Sequence, residues 1–197
     1  MKKVILLFTF STVFVLKGFS QSDAGFGKFN LGAYGATALW NMRSIFDAGV
    51  GGSLKYEYNL SYHINFLKKS YVANRIFITL ESGFEAFAVK EKLQNANVPS
   101  TYTYIPVKIG LKYYALAGLY AEAQYGTCNY GDHGGGHAPD YSGGIGYSFK
   151  PGFEFGVRYE KWTQFPQNHV YSQYGQTGPF ASTSNFSQLA VRLSERF

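Results

Sequence analysis

The side chains with the most evident capacity for chemistry are Asp132, His133, His137 and Asp140, grouped in the Gly-rich stretch Tyr130 to Tyr141. Carboxylates and imidazoles are ligand types for a transition metal if such a loop folds back on itself. The stretch carries no helical pattern, so the i to i+4 spacing of the two histidines does not place them on one face, and a solvated loop without metal is the better reading. Glu81 and Glu85 raise a second possibility, a catalytic carboxylate pair. On a strand they would stand about 13 Å apart at roughly 3.4 Å per residue, beyond the span a glycosidase uses. His133 and Ser142 form the remaining nearby pair, and the sequence around them does not look like that of barrels that cleave acyl chains from lipid A. No GxSxG nucleophile elbow, phosphate-cradling GxxxxGK or GxGxxG occurs. The residues therefore point to no catalytic group, no metal and no cofactor.

The elements that would position these side chains share one pattern. From Val50 to Phe66, Val50, Leu54, Tyr56, Tyr58, Leu60 and Ile64 alternate with Ser53, Lys55, Glu57, Asn59, Ser61 and His63. A period of two is the signature of a strand. From Arg75 to Ala88, Ile76, Ile78, Leu80 and Phe84 oppose Arg75, Thr79, Glu81 and Glu85, which suggests a long hairpin with the first run. The same alternation recurs around Phe29 to Ala33, Ile105 to Tyr113, Leu119 to Tyr125, Tyr141 to Phe149, Phe153 to Glu160 and Gln188 to Phe197, eight stretches in all. Tight connections at Leu116 to Gly118 and Lys150 to Gly152 take turns with longer ones near residues 90–101, 127–140 and 164–184. That rhythm predicts an all-β, eight-stranded antiparallel up-and-down barrel, with the tight turns toward the periplasm.

Which face meets which medium decides the class. The apolar faces carry aromatics and branched aliphatics on every stretch, more bulk than the narrow inside of an eight-stranded barrel accepts. The polar faces combine Gly, Ser and Ala with charges that nearly cancel. They are Lys28, Lys55, Lys108, Lys112, Arg158, Arg192 and Arg196 against Glu57, Glu81, Glu85, Glu122, Glu154 and Glu160, seven to six. The expectation is a transmembrane barrel with lipid outside and a cross-strand ion-pair network filling the lumen. Trp40 and Trp162 each close a strand that runs outward and would suit the interface, although strict alternation points both inward.

Composition agrees. Seventeen Tyr, eighteen Phe and 23 Gly among 197 residues, with only 15% charged, favour strands and turns over a helical bundle. The mean hydropathy of -0.15 decides nothing, because the two faces of a membrane strand average out. Residues 1–20 read as a cleavable signal peptide: Lys2 and Lys3, the apolar run Val4 to Leu16, then the small residues Gly18 and Ser20. The run spans roughly 20 Å as a helix, short of the roughly 30 Å hydrocarbon layer. Residues 21–197 would then form the barrel domain. Without Lys2, Lys3 and Lys17 the balance is 15 basic to 12 acidic residues, too even to argue for nucleic acid. Cys128, the single cysteine, excludes an intrachain disulfide and reads as a small buried thiol.

With the leader, the eight alternating stretches and the segment Leu189 to Phe197 in view, the chain resembles the small outer-membrane β-barrel family that includes OmpX and the transmembrane domain of OmpA. The resemblance implies residence in the outer membrane of a Gram-negative bacterium, outer-membrane lipid as surroundings and a non-enzymatic role played through surface loops. It also implies that Phe197 is the assembly signal read by the barrel-insertion machinery. Alternatives that the residues leave open are a lipid-modifying barrel enzyme, a secreted lipocalin-like carrier and a narrow passive channel.

Overall fold

Alternation becomes architecture because a strand with one apolar and one polar face can satisfy both only where two media meet, and closure removes the exposed edges. The computed structural model describes residues 27–60, 73–94, 100–116, 118–130, 137–149, 152–162 and 185–197. The leader, Asp132, His133, the run Ser61 to Phe66 and the stretch 164–184 lie outside the described residues. The strands are β1 (Lys28–Leu39), β2 (Phe46–Asn59), β3 (Ile76–Val89), β4 (Thr101–Tyr114), β5 (Leu119–Tyr130), β6 (His137–Ser148), β7 (Phe153–Trp162) and β8 (Phe186–Arg196). Each pairs antiparallel with the next, and β8 pairs with β1, so the sheet closes as an eight-stranded barrel. Within the described residues no helix is long and apolar enough to cross a membrane, which says nothing about strands.

One end carries Lys28, Arg196 and the tight connections, and is called the turn end; the other is the loop end. At the turn end the Ala115 amide donates to Leu119 O at 3.0 Å. Gly118 there has φ +90, and a Cβ would sit 2.6 Å from Ser148 O, so both conformation and space call for glycine. The connection between β2 and β3 also lies at this end but runs from residue 60 to 75, longer than a tight turn. At the loop end β1 passes into a 3-10 turn, Trp40–Ser44.

Several strand boundaries differ from the sequence expectation: β1 runs on to Leu39, β2 ends at Asn59 and β5 reaches Tyr130, and two others change which residues face the lumen. β2 begins at Phe46, four places before the clean alternation starts. The pairings Phe46↔Val89 and Gly49↔Phe87 leave one extra residue in β2, a bulge. An added residue reverses the parity of side chains beyond it, so Phe46, on the outward parity of Val50 and Leu54, is turned inward and is 1% exposed. β6 begins at His137, so His137 and Asp140 belong to a strand, not to a loop. Asp140 faces the lumen and His137 is exposed, which separates the two as joint metal ligands.

Candidate functional site: a charged lumen beneath an apolar cap

The outer wall is hydrocarbon. Leu54, Leu80, Phe84, Ile109, Leu111 and Ile145 are all more than half exposed, and aromatic residues such as Tyr125, Tyr141, Phe149 and Phe153 continue the belt. The inner wall is the reverse. Lys55, Lys108, Lys112, Arg158 and Arg192 are buried there with Glu57, Glu81, Glu85, Asp140, Glu154 and Glu160. Glu122 and Arg196 are half-buried additions. Lys28 departs from the expected set: it begins β1 at the open mouth and is exposed.

The interior is built in three tiers from every strand. At the turn end Lys112 Nζ lies 2.7 Å from Glu57 Oε1 and 2.9 Å from Glu154 Oε2. It also sits 4.0 Å from the centroid of the Tyr120 ring, an arrangement that suits a desolvated ammonium. Glu154 accepts hydrogen bonds from Asn30 Nδ2 at 2.9 Å and Tyr114 OH at 3.0 Å, with Arg196 Nη1 at 3.6 Å. In the middle tier Lys55 pairs with Glu122 at 2.5 Å, and Arg158 Nη1 reaches Glu81 at 3.1 Å. Gln124 donates to Glu81 at 2.9 Å, and Ser142 donates to Gln124 at 3.1 Å. Arg192 donates to Asn30 Oδ1 at 2.7 Å and so ties this tier to the first. On the loop side Lys108 pairs with Glu160 at 2.5 Å and Gln188 donates to Glu85 at 2.9 Å.

Glycines make room for this. A Cβ at Gly32 would fall 2.6 Å from the Arg192 guanidinium carbon, so the guanidinium lies where any other side chain would begin. What remains empty between Lys55, Glu122, Gln124, Arg158 and Arg192 is a cavity of about 20 Å³, room for about one water.

Sequence reasoning missed the loop-side closure. Above the charges, Phe46, Phe87, Tyr104, Trp162 and Phe186 fill the bore together with Met42 and Ile45 from the 3-10 turn and its end. Phe46 stands 5.7 Å from Phe87 and 6.1 Å from Phe186, and Tyr104 stacks on Trp162 at 5.8 Å. Cys128 is buried in the same cluster. Trp162 follows strict alternation inward, whereas Trp40 is 71% exposed and meets Tyr159 edge-on at 5.8 Å. Trp40 has φ +43, outside the regular strand, and alternation ceases to govern it there.

Glu81 and Glu85 sit in different surroundings, one amid Lys55 and Arg158 and the other on Gln188, so they are not a working pair. Ser142 is spent on Gln124. Among the described residues no group of three or more His, Cys, Asp and Glu side chains is placed to hold a metal ion.

A closed eight-stranded barrel with its charges within and its hydrocarbon without has the architecture of the small outer-membrane β-barrel proteins. Solved structures agree on the fold. The chain is similar to the attachment invasion locus protein Ail of Yersinia pestis, at 11% identity and a TM-score of 0.51, over 87% of this chain and 97% of that one. The Yersinia pestis outer membrane protein Ail in a phospholipid bilayer nanodisc gives 11% and 0.51, over 87% and 99%. The de novo designed TMB2.3 gives 16% and 0.50, over 89% and 98%. No family model matches the sequence, and no curated protein matches it.

Proposed function

We propose that the protein is an integral barrel of a Gram-negative outer membrane, exported by residues 1–20, whose closed interior makes it a rigid, non-enzymatic scaffold for surface contacts through the loop end. The observation that carries this reading is the inversion of the wall: Leu80 is 54% exposed beside Glu81 at 1%. In water such a surface would collapse onto other copies; in a bilayer it is solvated by acyl chains while the lumen satisfies its own charges. The interior also speaks against a lipocalin-like carrier, since charges and the apolar cap occupy the space an apolar ligand would need. Two closures in series, one ionic and one apolar, favour a plugged barrel over a channel. Phe197, whose amide donates to Phe29 O at 2.8 Å and so extends the β8–β1 seam, would offer the insertion machinery its C-terminal aromatic.

Fractionation of cells followed by gel mobility with and without boiling tests the assignment. The protein should partition with outer membranes and migrate faster unboiled. Recovery in buffer without detergent would overturn the membrane reading. A steady open current in planar bilayers would overturn the plugged lumen.

A further inference from the structure

Among the described residues the charges enclosed in the lumen do not balance. Five buried cations face six buried carboxyl groups, and the half-buried Arg196 and Glu122 leave the difference at one. Lys28 and Arg75 stand at the open mouth of the turn end, away from the place where the surplus collects. A sealed interior inside hydrocarbon tolerates an uncompensated charge poorly.

The surplus localises on the loop side, directly under the apolar cap. Asp140 Oδ2 and Glu160 Oε1 both face the Lys108 ammonium, which sets the two buried carboxyl groups side by side. Both oxygens of the fully buried Asp140 carboxyl lack a donor. Lys108 Nζ is committed to Glu160 at 2.5 Å and stays 3.6 Å from Asp140, too far for a hydrogen bond. Arg158 lies on Glu160 at 3.0 Å and on Glu81 at 3.1 Å. The other groups facing the pair are Glu85 from β3, Cys128 from β5 and Tyr34 from β1; Gln188 from β8 donates to Glu85 instead. None of them supplies a further cation. Two ionised carboxylates in contact are acceptor against acceptor, and they attract only when one hydrogen sits between them. Trp162 pairs with Asp140 across β6 and β7 and belongs to the cap, which sets the buried carboxyl directly beneath the apolar cluster.

We propose that the lumen binds one proton, shared between Asp140 and Glu160 as a carboxylic acid–carboxylate hydrogen bond. The proton turns one Asp140 oxygen from an unsatisfied acceptor into a donor to Glu160, and it brings the enclosed charge of the described residues to zero. Its companions then have one role each: Lys108 and Arg158 hold the ionised partner, Glu160, and Asp140 carries the hydrogen toward it. A buried monovalent metal ion would solve the same charge problem, but among the described residues no group of three or more His, Cys, Asp and Glu side chains is placed to hold one.

The inference rests on the sealed lumen proposed above, and the test separates the two, because it works on barrel folded in detergent whether or not the cell places it in a membrane. Infrared spectra of the folded wild type at neutral pH should contain the carbonyl band of a protonated carboxylic acid. Isotopic labelling of the aspartate carboxyl carbon should shift that band, which assigns it to an aspartate without any variant. Asp140→Asn places an amide donor against Glu160 and should fold while losing the band; Glu160→Gln should abolish it as well. A wild-type spectrum without the band at neutral pH would overturn the proposal. So would a band that persists in both variants, which would place the proton on another group such as Glu85. A melting temperature that rises with sodium or potassium but not with choline at equal ionic strength would assign the charge to a metal ion instead and would equally overturn it.

Discussion

Replacing Lys112 by methionine removes one ammonium from between two carboxylates while keeping nearly the same length and the contact with Tyr120. Lys112 is 0% exposed, so its removal leaves a charge that water does not reach. Glu154 keeps Asn30, Tyr114 and Arg196, but Glu57 loses Lys112 and its Oε2 already has no hydrogen-bond partner. The loss therefore falls mainly on Glu57, and breaking a buried pair from one side costs about 3–5 kcal/mol. At 1.4 kcal/mol per factor of ten, about 4 kcal/mol is close to a thousandfold in the unfolding constant. Urea unfolding in lipid vesicles, followed by tryptophan fluorescence, reads this directly. The double variant Lys112→Met with Glu57→Gln should recover most of the loss, since the orphaned charge is then gone as well. A single-variant cost below about 1 kcal/mol, the worth of an exposed pair, would refute the reasoning, because it would mean that water solvates Glu57 inside the barrel.

Three further outcomes follow from the same geometry. Ile109→Arg, outward at the middle of β4 and 56% exposed, should destabilise the barrel in vesicles by about 2–4 kcal/mol, and an unchanged unfolding midpoint would place that face in water. Lipids brominated along their acyl chains should quench Trp40 and spare Trp162, read by comparing the Trp40→Phe and Trp162→Phe variants; equal quenching of both would contradict the cap. Phe46→Ala should cost about 3–5 kcal/mol in the same urea assay, as a buried aromatic does, whereas a loss below about 1 kcal/mol would mean that the bulge does not turn it inward.

The pattern of two made most of the wall legible. In β4, β5, β7 and in β8 from Gln188 onward, parity tells which medium a residue faces, because uninterrupted pleating leaves no other choice. The interior charges were legible for the same reason: Lys108 and Lys112, on the parity opposite to Val107, Ile109 and Leu111, have one side to go to. What could not be read lies where the pleat is interrupted. Phe46 was lost to an inserted residue that leaves no mark in composition. Gly, His and Pro around Asp140 look like turn material, yet the ladder with Trp162 and Gly126 extends that far. Trp40 follows a positive φ that no periodicity announces. The apolar cap escaped notice because its aromatics share the lumen-facing parity with the charges and differ only in height along the axis, and height depends on the stagger between strands that single strands do not encode.

That vertical order has a consequence for what evolution or an engineer can alter. Since Phe46, Phe87, Tyr104, Trp162 and Phe186 lie between the loops and the ions, foreign peptides grafted above them meet a greasy floor and never touch the electrostatic balance beneath. The barrel should accept exchange of its exterior crown, apart from the turn that carries Met42 and Ile45, without relearning how to fold.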